Sequence, residues 1–259
     1  MSHSKSSFYW TVSDWRAAIR RSSRHIFRNP DSLITGMMLP VIIMLLFVIV
    51  FGGAVNTGVA YVNYVVPGVI LICVGYGSST TAMIVNRDIT GGLFDRFRTL
   101  PMVCSSVLIG HIVGSLLRNV ISAVLVFGVA LAIGFRPNAT LIEWLVIAGI
   151  LVTSILAISW LSAGFGLLAK SMDTASAISF IIMFLPYLSS AFVPVETMPS
   201  WLHGFAQHQP FTPIIETLRG LMIGTPIGDN GLLTAVWSTS ILLGSMVIAL
   251  SLFRYRAHR

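Results

Sequence analysis

Residues 32–86 read SLITGMMLPVIIMLLFVIVFGGAVNTGVAYVNYVVPGVILICVGYGSSTTAMIVN, a run of 55 residues without a charged side chain. The hydrocarbon core of a bilayer is about 30 Å thick, so a helix rising about 1.5 Å per residue needs about 20 apolar residues to cross it. The run is long enough for two such helices and a short turn. It therefore predicts a chain that passes through the membrane more than once.

The composition of the whole chain points the same way. Of 259 residues, 55% are apolar and only 10% are charged, whereas about 25% of residues are charged in a soluble domain. The first residues lack the apolar core and cleavage site of a secretory signal peptide. Cys73 and Cys104 fit neither a disulfide framework nor the spacing of metal ligands, so we interpret both as free thiols. The sequence thus predicts a polytopic membrane protein without a metal site.

Charged residues and turn formers divide the chain into six predicted spans. Long uncharged runs of this kind favour a helical bundle, so the predicted fold class is all-α, with residues 1–259 forming a single transmembrane domain. The spans run approximately over residues 33–55, 61–85, 106–135, 143–169, 174–193 and 232–253.

The basic residues indicate the orientation, because Lys and Arg accumulate on the cytoplasmic side of a membrane protein. Arg118 lies within a predicted span, and only Arg136 and Arg219 lie on the opposite side. Both termini are therefore predicted to be cytoplasmic, and the net charge of +7 reflects topology and anionic lipid rather than nucleic-acid binding. The cytoplasmic basic residues are Lys5, Arg16, Arg20, Arg21, Arg24, Arg28, Arg87, Arg96, Arg98, Lys170, Arg254, Arg256 and Arg259.

Residues 11–29 have the pattern of an amphipathic helix lying at the cytoplasmic membrane interface. Apolar side chains share one helical face, and arginines follow the adjacent face. The helix either anchors the chain to the membrane surface or also contacts a cytoplasmic partner. The residues that define it are Trp15, Arg16, Ile19, Arg20, Arg24 and Arg28.

The cytoplasmic loop at residues 86–104 contains apolar residues at helical spacing between Thr90 and Pro101. Its charged residues fall on the opposite side, so a short helix here would present an apolar ridge with a charged rim. From the pattern alone, this helix either docks into a groove on another protein or lies on the membrane surface. The apolar positions are Leu93, Phe94, Phe97 and Leu100.

Residues 194–230 form a proline-rich segment on the outer side that includes an apolar stretch at 211–223. This stretch is too short to span the bilayer, and we expect short helices that re-enter the outer leaflet. Glu196, Glu216 and Arg219 then require water or each other. The predicted outer gate comprises Pro199, Trp201, Pro210, Glu216 and Arg219.

No catalytic or energy-coupling site is evident in the sequence. The stretch GFGLLAKS at 164–171 misses the nucleotide-binding P-loop pattern at Ala169 and ends a predicted span, where no strand precedes it. The spans contain no acidic residue except Glu143 at an outer end, which argues against ion-coupled transport. We expect no enzymatic activity and no catalytic residue in this chain, and any energy for transport to come from another protein.

Spans 2 and 5 carry the aromatic and hydroxyl residues best suited to a path for an amphipathic substrate. Ordinary helix packing is the alternative for each of them. Arg118 either extends its charge toward the interface or faces a polar cavity. The candidate pathway residues are Tyr76, Ser79, Thr80, Phe180, Phe184, Tyr187 and Ser190.

Two groups of motifs resemble those of the membrane subunits of type-2 ATP-binding-cassette exporters, particularly the bacterial permeases of the daunorubicin-resistance type. One group is the loop with Arg87-Asp88, Gly91-Gly92-Leu93, Asp95-Arg96 and Leu100-Pro101. The other is the outer segment with Met198-Pro199-Ser200-Trp201-Leu202, Pro210-Phe211-Thr212 and Glu216-Thr217-Leu218-Arg219-Gly220.

The resemblance implies that this chain is the permease of an ATP-driven exporter in a bacterial cytoplasmic membrane. A second permease subunit, identical or related, and separate ATPase subunits that hold ATP and Mg²⁺ would complete it, while this chain binds no cofactor. The rival interpretations are a self-contained secondary carrier or channel and a membrane scaffold that transports nothing. The coupling helix that would contact the ATPase includes Arg87, Asp88, Gly91, Leu93, Phe94, Asp95, Arg96, Phe97, Arg98, Leu100 and Pro101.

Overall fold

The computed structural model describes residues 30–55, 57–91 and 105–257, and every regular element within these ranges is helical. The all-α fold class is therefore confirmed for this part of the chain. Short 3-10 helices, Leu185–Leu188 and Val195–Thr197, connect α5 to α6, and a π-helical stretch, Phe47–Phe51, follows α1. The α-helices are α1 Pro30–Leu46, α2 Tyr61–Thr90, α3 Ser105–Ala132, α4 Leu141–Leu168, α5 Met172–Phe184, α6 Ser200–His208, α7 Phe211–Ile223 and α8 Asn230–Ala257.

Four of these helices, α2, α3, α4 and α8, are long and apolar enough to cross a membrane. The apolar stretches Gly36–Phe51 and Met172–Leu188 are shorter, about 24 and 26 Å at the usual rise of an α-helix. The chain thus has the helices of a multi-pass membrane protein. The crossing of the bilayer by α1 and α5, and with it the number of six spans, stays a prediction.

The ends of three helices differ from the predicted spans for local reasons. α2 continues to Thr90 instead of ending at Val85, so Arg87 and Asp88 lie on the helix rather than in the loop. α3 ends at Ala132 rather than at residue 135, because Gly134 adopts a φ of +107°, a conformation that terminates helices. α5 ends at Phe184 rather than at residue 193, where Pro186 lacks the N–H that would extend the helix.

α2 is the central helix of the bundle and packs against α1, α3, α4 and α5. The turn after α5 approaches α2 closely at Gly68, where an added Cβ would overlap the backbone of Ala191. α7 buries Ile214, Ile215 and Leu218 in the same core. The predicted outer segment is therefore packed into the bundle and positions polar groups at one end of it.

The outward faces of α4 and α8 carry large apolar side chains that no other described element covers. Leu141 and Leu145 on α4, and Leu232, Val236 and Val247 on α8, are all exposed. An apolar surface of this extent is unusual for a protein in water but matches a hydrocarbon solvent. The surface agrees with a position of these two helices at the lipid boundary.

Candidate functional site

The end of α2 that leads to residues 92–101 contacts α4 through hydrogen bonds and α3 through an ion pair. The buried Asn86 side chain donates hydrogen bonds to the carbonyl oxygens of Gly166, at 3.1 Å, and Ala169, at 2.8 Å. His111 Nε2 on α3 lies 3.0 Å from Asp88 Oδ2, close enough for an ion pair, although the ring is not oriented for a hydrogen bond. Neither contact was predicted, because each joins residues far apart in the chain.

Only three residues of the predicted coupling helix belong to the part of the chain that the structure describes. Arg87 and Asp88 lie on the last turns of α2, and Gly91 ends this helix. The predicted interfacial helix at 11–29 lies entirely outside the described residues. The other coupling residues also lie outside them: Leu93, Phe94, Asp95, Arg96, Phe97, Arg98, Leu100 and Pro101.

The predicted pathway residues of α2 lie on one half-buried face. Ser79 Oγ donates to its own helix, at Gly75 O, over 2.9 Å and contacts Ser179 O on α5 over 3.3 Å. Thr80 Oγ1 donates to Gly77 O over 2.7 Å. These two hydroxyl groups are therefore satisfied by carbonyl groups. Tyr76 makes no such hydrogen bond to the described residues, and its partly exposed side chain could contact a ligand.

Three of the predicted pathway residues on and after α5 belong to an aromatic row, which we define as Phe47, Phe192, Tyr187, Phe184 and Phe180. Successive ring centroids along it are 4.0, 5.6, 5.7 and 6.4 Å apart. The side chains of Phe180 and Phe184 are 49% and 55% exposed. The row offers apolar stacking surface along one side of the bundle, and sequence reasoning missed its members Phe47 and Phe192.

A buried hydroxyl network joins α2, α3 and α4 within the spans. We define it as Ser78, Thr81, Ser115, Asn119 and Ser159. Ser115 Oγ lies 2.9 Å from Thr81 Oγ1 and 2.8 Å from Ser159 Oγ, while Asn119 Nδ2 lies 3.3 Å from Ser78 Oγ. Hydrogen bonds of this kind hold helices together in the membrane, where water cannot replace them. The hydroxyl residues of α2 that were predicted to lie on the pathway, Ser79 and Thr80, are not members of this network, and its members on α3 and α4 were not predicted.

Arg118 borders this network on α3. Its Nη2 donates a hydrogen bond of 3.2 Å to Thr81 Oγ1. Its Nε is buried and has no hydrogen-bond partner among the described residues. Both ion pairs seen in this part of the chain, Asp88 with His111 and Glu216 with Arg219, involve other basic groups.

In the predicted outer segment, Arg219 of α7 has the partners that Arg118 lacks. The residue is only 3% exposed, its Nε donates to Tyr64 O at 3.1 Å, and its Nη2 donates to Ser190 O at 2.7 Å. Nη1 forms an ion pair with Glu216, and the guanidinium carbon lies 3.6 Å from the centre of the Tyr64 ring. Ser190, predicted to lie on the pathway, is thus a buried partner of the outer arginine.

A polar cavity of about 440 Å³ adjoins this arginine. It is lined by Glu216 and Arg219 of the predicted outer gate and by the exposed Glu196. The other gate residues lie elsewhere: Pro199 precedes α6, Pro210 precedes α7, and Trp201 on α6 is 80% exposed. The structure therefore brings together two of the five predicted gate residues.

Comparisons with known proteins complete this description. Residues 13–223 match the family model described as ABC-2 type transporter. The chain is 32% identical to the daunorubicin resistance ABC transporter permease protein DrrB1 of Streptomyces coeruleorubidus over 225 residues, which is 86% of this chain and 78% of the relative.

Two further relatives extend this similarity. A probable doxorubicin resistance ABC transporter permease protein, DrrC of Mycobacterium tuberculosis, is 26% identical over 83% of this chain and 78% of its own length. A putative transport permease, ycf38 of Cyanophora paradoxa, is 26% identical over 97% of this chain and 88% of its own length. With its apolar helices and a match over most of its length, the chain belongs to the ABC-2 type transporter family.

Proposed function

We propose that this chain is the permease subunit of an ATP-driven exporter that moves an amphipathic, drug-like or lipid-like substrate outward across a bacterial cytoplasmic membrane. The observation that carries the proposal is the family match over residues 13–223, together with relatives named as drug-resistance permeases. A separate ABC ATPase with bound ATP and Mg²⁺ supplies the energy. A second permease subunit, identical or related, completes the membrane part.

The distribution of acidic residues supports an external energy source. In the four helices long enough to cross the membrane, the carboxylates of the described residues are Asp88 near one end of α2 and Glu143 near one end of α4. Carriers driven by ion gradients usually place acidic residues deep within the membrane. The described spans lack such a group at their centres, so we assign the driving force to the ATPase.

The contacts at the end of α2 support a mechanical link between the ATPase and the spans. Residues 92–101 follow α2 directly, and α2 is joined to α4 through Asn86 and to α3 through Asp88 and His111. A displacement of this segment would therefore move three helices together instead of bending one. Such a rigid-body movement switches a transporter between two states.

The aromatic row supports an amphipathic substrate. Its half-exposed rings at Phe180 and Phe184 would stack against flat or aliphatic groups. An apolar surface selects by shape and area rather than by individual hydrogen bonds, which suits a transporter of drug-like compounds.

The proposal is tested by Phe94→Asp and Phe97→Asp in the predicted coupling helix. Each change places a carboxylate on the apolar ridge, and we expect the ATPase encoded with the permease to be lost from co-purification. ATP-dependent uptake into inside-out vesicles should be lost as well. Phe205→Asp, at an exposed residue of α6 on the opposite side, is the matched control and should retain both. Unchanged recovery of the ATPase with the first two variants would contradict the proposal.

A further inference from the structure

The guanidinium of Arg118 lies beside Thr81, well inside a helix that is long and apolar enough to cross the membrane. Its contact, Thr81, precedes Arg87 on α2 by six residues, which is about 9 Å along the helix axis. Arg87 and Asp88 mark the polar end of this helix. The guanidinium therefore meets a hydroxyl group of the network before it reaches this polar end, and the side chain is partly buried.

The described residues leave the charge of Arg118 without a counter-ion. A guanidinium carries five N–H donors and is always charged. Here one contact, Nη2 to Thr81 Oγ1, is made, and the buried Nε has no partner among the described residues. The two ion pairs of the described structure involve other basic side chains. A cation held in this way within a membrane is costly and is usually found at a functional position.

The hydroxyl network cannot neutralise this charge. Thr81 Oγ1, which accepts from Arg118, lies 2.9 Å from Ser115 Oγ, and Ser115 Oγ lies 2.8 Å from Ser159 Oγ. Each of these groups is neutral and already engaged with another member of the network. The network positions the guanidinium through Nη2, while its positive charge has no counter-ion among the described residues and its partly exposed side chain is open to a ligand.

We propose that Arg118 binds the anionic group of an amphipathic ligand, a carboxylate, sulfate or phosphate, within the spans. The inference deepens the proposed export function, on which it rests, by naming a chemical class of substrate. An anionic oxygen group suits the site because the planar guanidinium offers paired donors that match a carboxylate or phosphate. The same chemistry could come from a free amphiphile or from the phosphate of a lipid.

The test measures binding to the full-length permease in phosphatidylcholine liposomes at alkaline pH. The probes are 11-(dansylamino)undecanoic acid, ionised under these conditions, and its uncharged methyl ester. Saturable energy transfer from the tryptophans to the dansyl group reports binding. We expect the wild-type protein to bind the acid at least about tenfold more tightly than the ester, since a hydrogen bond to a charged group is worth this much or more.

Three variants localise the effect. Arg118→Gln should remove the preference for the acid and leave ester binding unchanged, whereas Arg118→Lys should keep part of the preference because it keeps the charge. Arg136→Gln removes an exposed arginine just beyond α3 and should behave like the wild type. Equal binding of acid and ester by the wild type, or a preference that survives Arg118→Gln, overturns the proposal. The wild-type comparison decides the matter even where a variant fails to fold.

Liposomes containing phosphatidylglycerol separate the two sources of the anion. At high ionic strength, which screens the negative surface charge of these liposomes, loss of the acid preference assigns the site to the headgroup of an anionic lipid, and a retained preference assigns it to a free acidic amphiphile. Neither ATPase nor ATP is present in this assay. Equal binding of acid and ester would therefore not affect the conclusion from ATPase co-purification. Likewise, the co-purification result would not affect the conclusion from the binding assay.

Discussion

Two arginines of this protein, Arg219 and Arg118, lie among buried groups but differ in how many hydrogen-bond and charge partners they have. Arg219, at the outer segment, has an ion pair with Glu216, two carbonyl acceptors and the ring of Tyr64. Arg118, within the spans, has one hydroxyl acceptor and a buried Nε without a partner among the described residues. The same side chain is thus enclosed by the protein in one place and only partly satisfied in the other.

The difference teaches how to separate a structural charge from a binding charge. Desolvating a guanidinium costs several kcal/mol, which is offset only when its donors and its charge both find partners. Arg219 meets this condition and joins α7 to α2 and to the turn at Ser190. Arg118 does not meet it, so an additional group is needed to offset the cost. The predictions below test this distinction by changing each region in turn.

The largest effect is expected from Arg219→Met. The change removes two hydrogen bonds and the stacking on Tyr64, and it leaves Glu216 without its partner. Breaking a buried ion pair from one side typically costs about 3–5 kcal/mol, and we expect about 3 kcal/mol because Glu216 is partly exposed. The free energy of unfolding, measured by denaturant titration of the purified protein, checks this value.

Arg136→Met provides the control for this change. Arg136 is exposed, and its Nη1 hydrogen bonds go to the carbonyl groups of Leu131 and Phe135. Surface substitutions of this kind usually change stability by less than about 0.5 kcal/mol. Equal losses for the two arginines would show that Arg219 is not the structural centre of the outer segment.

An intermediate effect is expected from Gly77→Ala next to the hydroxyl network. A Cβ at this position would overlap the carboxamide of Asn119, so the asparagine must move. Overpacking of this kind typically costs about 1–3 kcal/mol. Measured in an Asn119→Ala background, the same change should cost much less, because the overlapping atoms are gone.

Gly128→Ala is the matched control, since a Cβ there meets no atom within 4 Å. It lies inside α3, where alanine has the higher helix propensity, and should leave stability equal or raise it by up to about 1 kcal/mol. A similar loss for Gly77→Ala in both backgrounds would show that the network does not depend on the close approach at Asn119.

Much of the fold could be predicted from the sequence because hydropathy and charge reflect the membrane directly. α2, α3, α4 and α8 each begin within two residues of the predicted span starts. The exact helix ends could not be predicted, because they depend on local geometry such as the φ of Gly134 and the missing N–H of Pro186. The length of α5 was overestimated for the same reason.

The candidate site was predicted less well than the fold. The charge of Arg118 in a span was visible in the sequence, and Arg219 was predicted to need water or a carboxylate partner, Glu196 or Glu216, of which the structure selects Glu216. The sequence did not show that Ser190 accepts from Arg219 or that His111 meets Asp88. These contacts join residues separated by many positions, and only the packing of the helices determines them.

A missed signal was present on α3. Ser115 and Asn119 are four residues apart and share one face with Ser122. Polar residues repeating at this spacing on an apolar helix indicate a buried polar seam. Ser78 and Thr81, three residues apart on α2, also share one helical face, whereas Ser79 and Thr80 point away from the network. Helical periodicity could therefore have separated the network from the predicted pathway.

Of the substitutions at Arg219, Gly77 and Arg118, Arg118→Met is expected to change stability least, and it makes the sharpest contrast with Arg219. Its loss removes one hydrogen bond, worth about 1 kcal/mol, but also removes an incompletely satisfied charge from the apolar interior. Replacing such a group by an apolar one of similar size is often neutral or stabilising. We expect the free energy of unfolding in phosphatidylcholine to stay within about 1 kcal/mol of the wild-type value.

The ligand proposal adds a second expectation for the same variant. A ligand that binds only the folded state stabilises it by RT ln(1 + L/Kd), where L is the free ligand concentration, so the dansyl acid should raise the stability of the wild type but not of Arg118→Met. A loss of more than about 2 kcal/mol without ligand would contradict the comparison, because it would exceed what one hydrogen bond provides. The charge would then be held by the fold, as at Arg219, and would not be available to an anionic ligand.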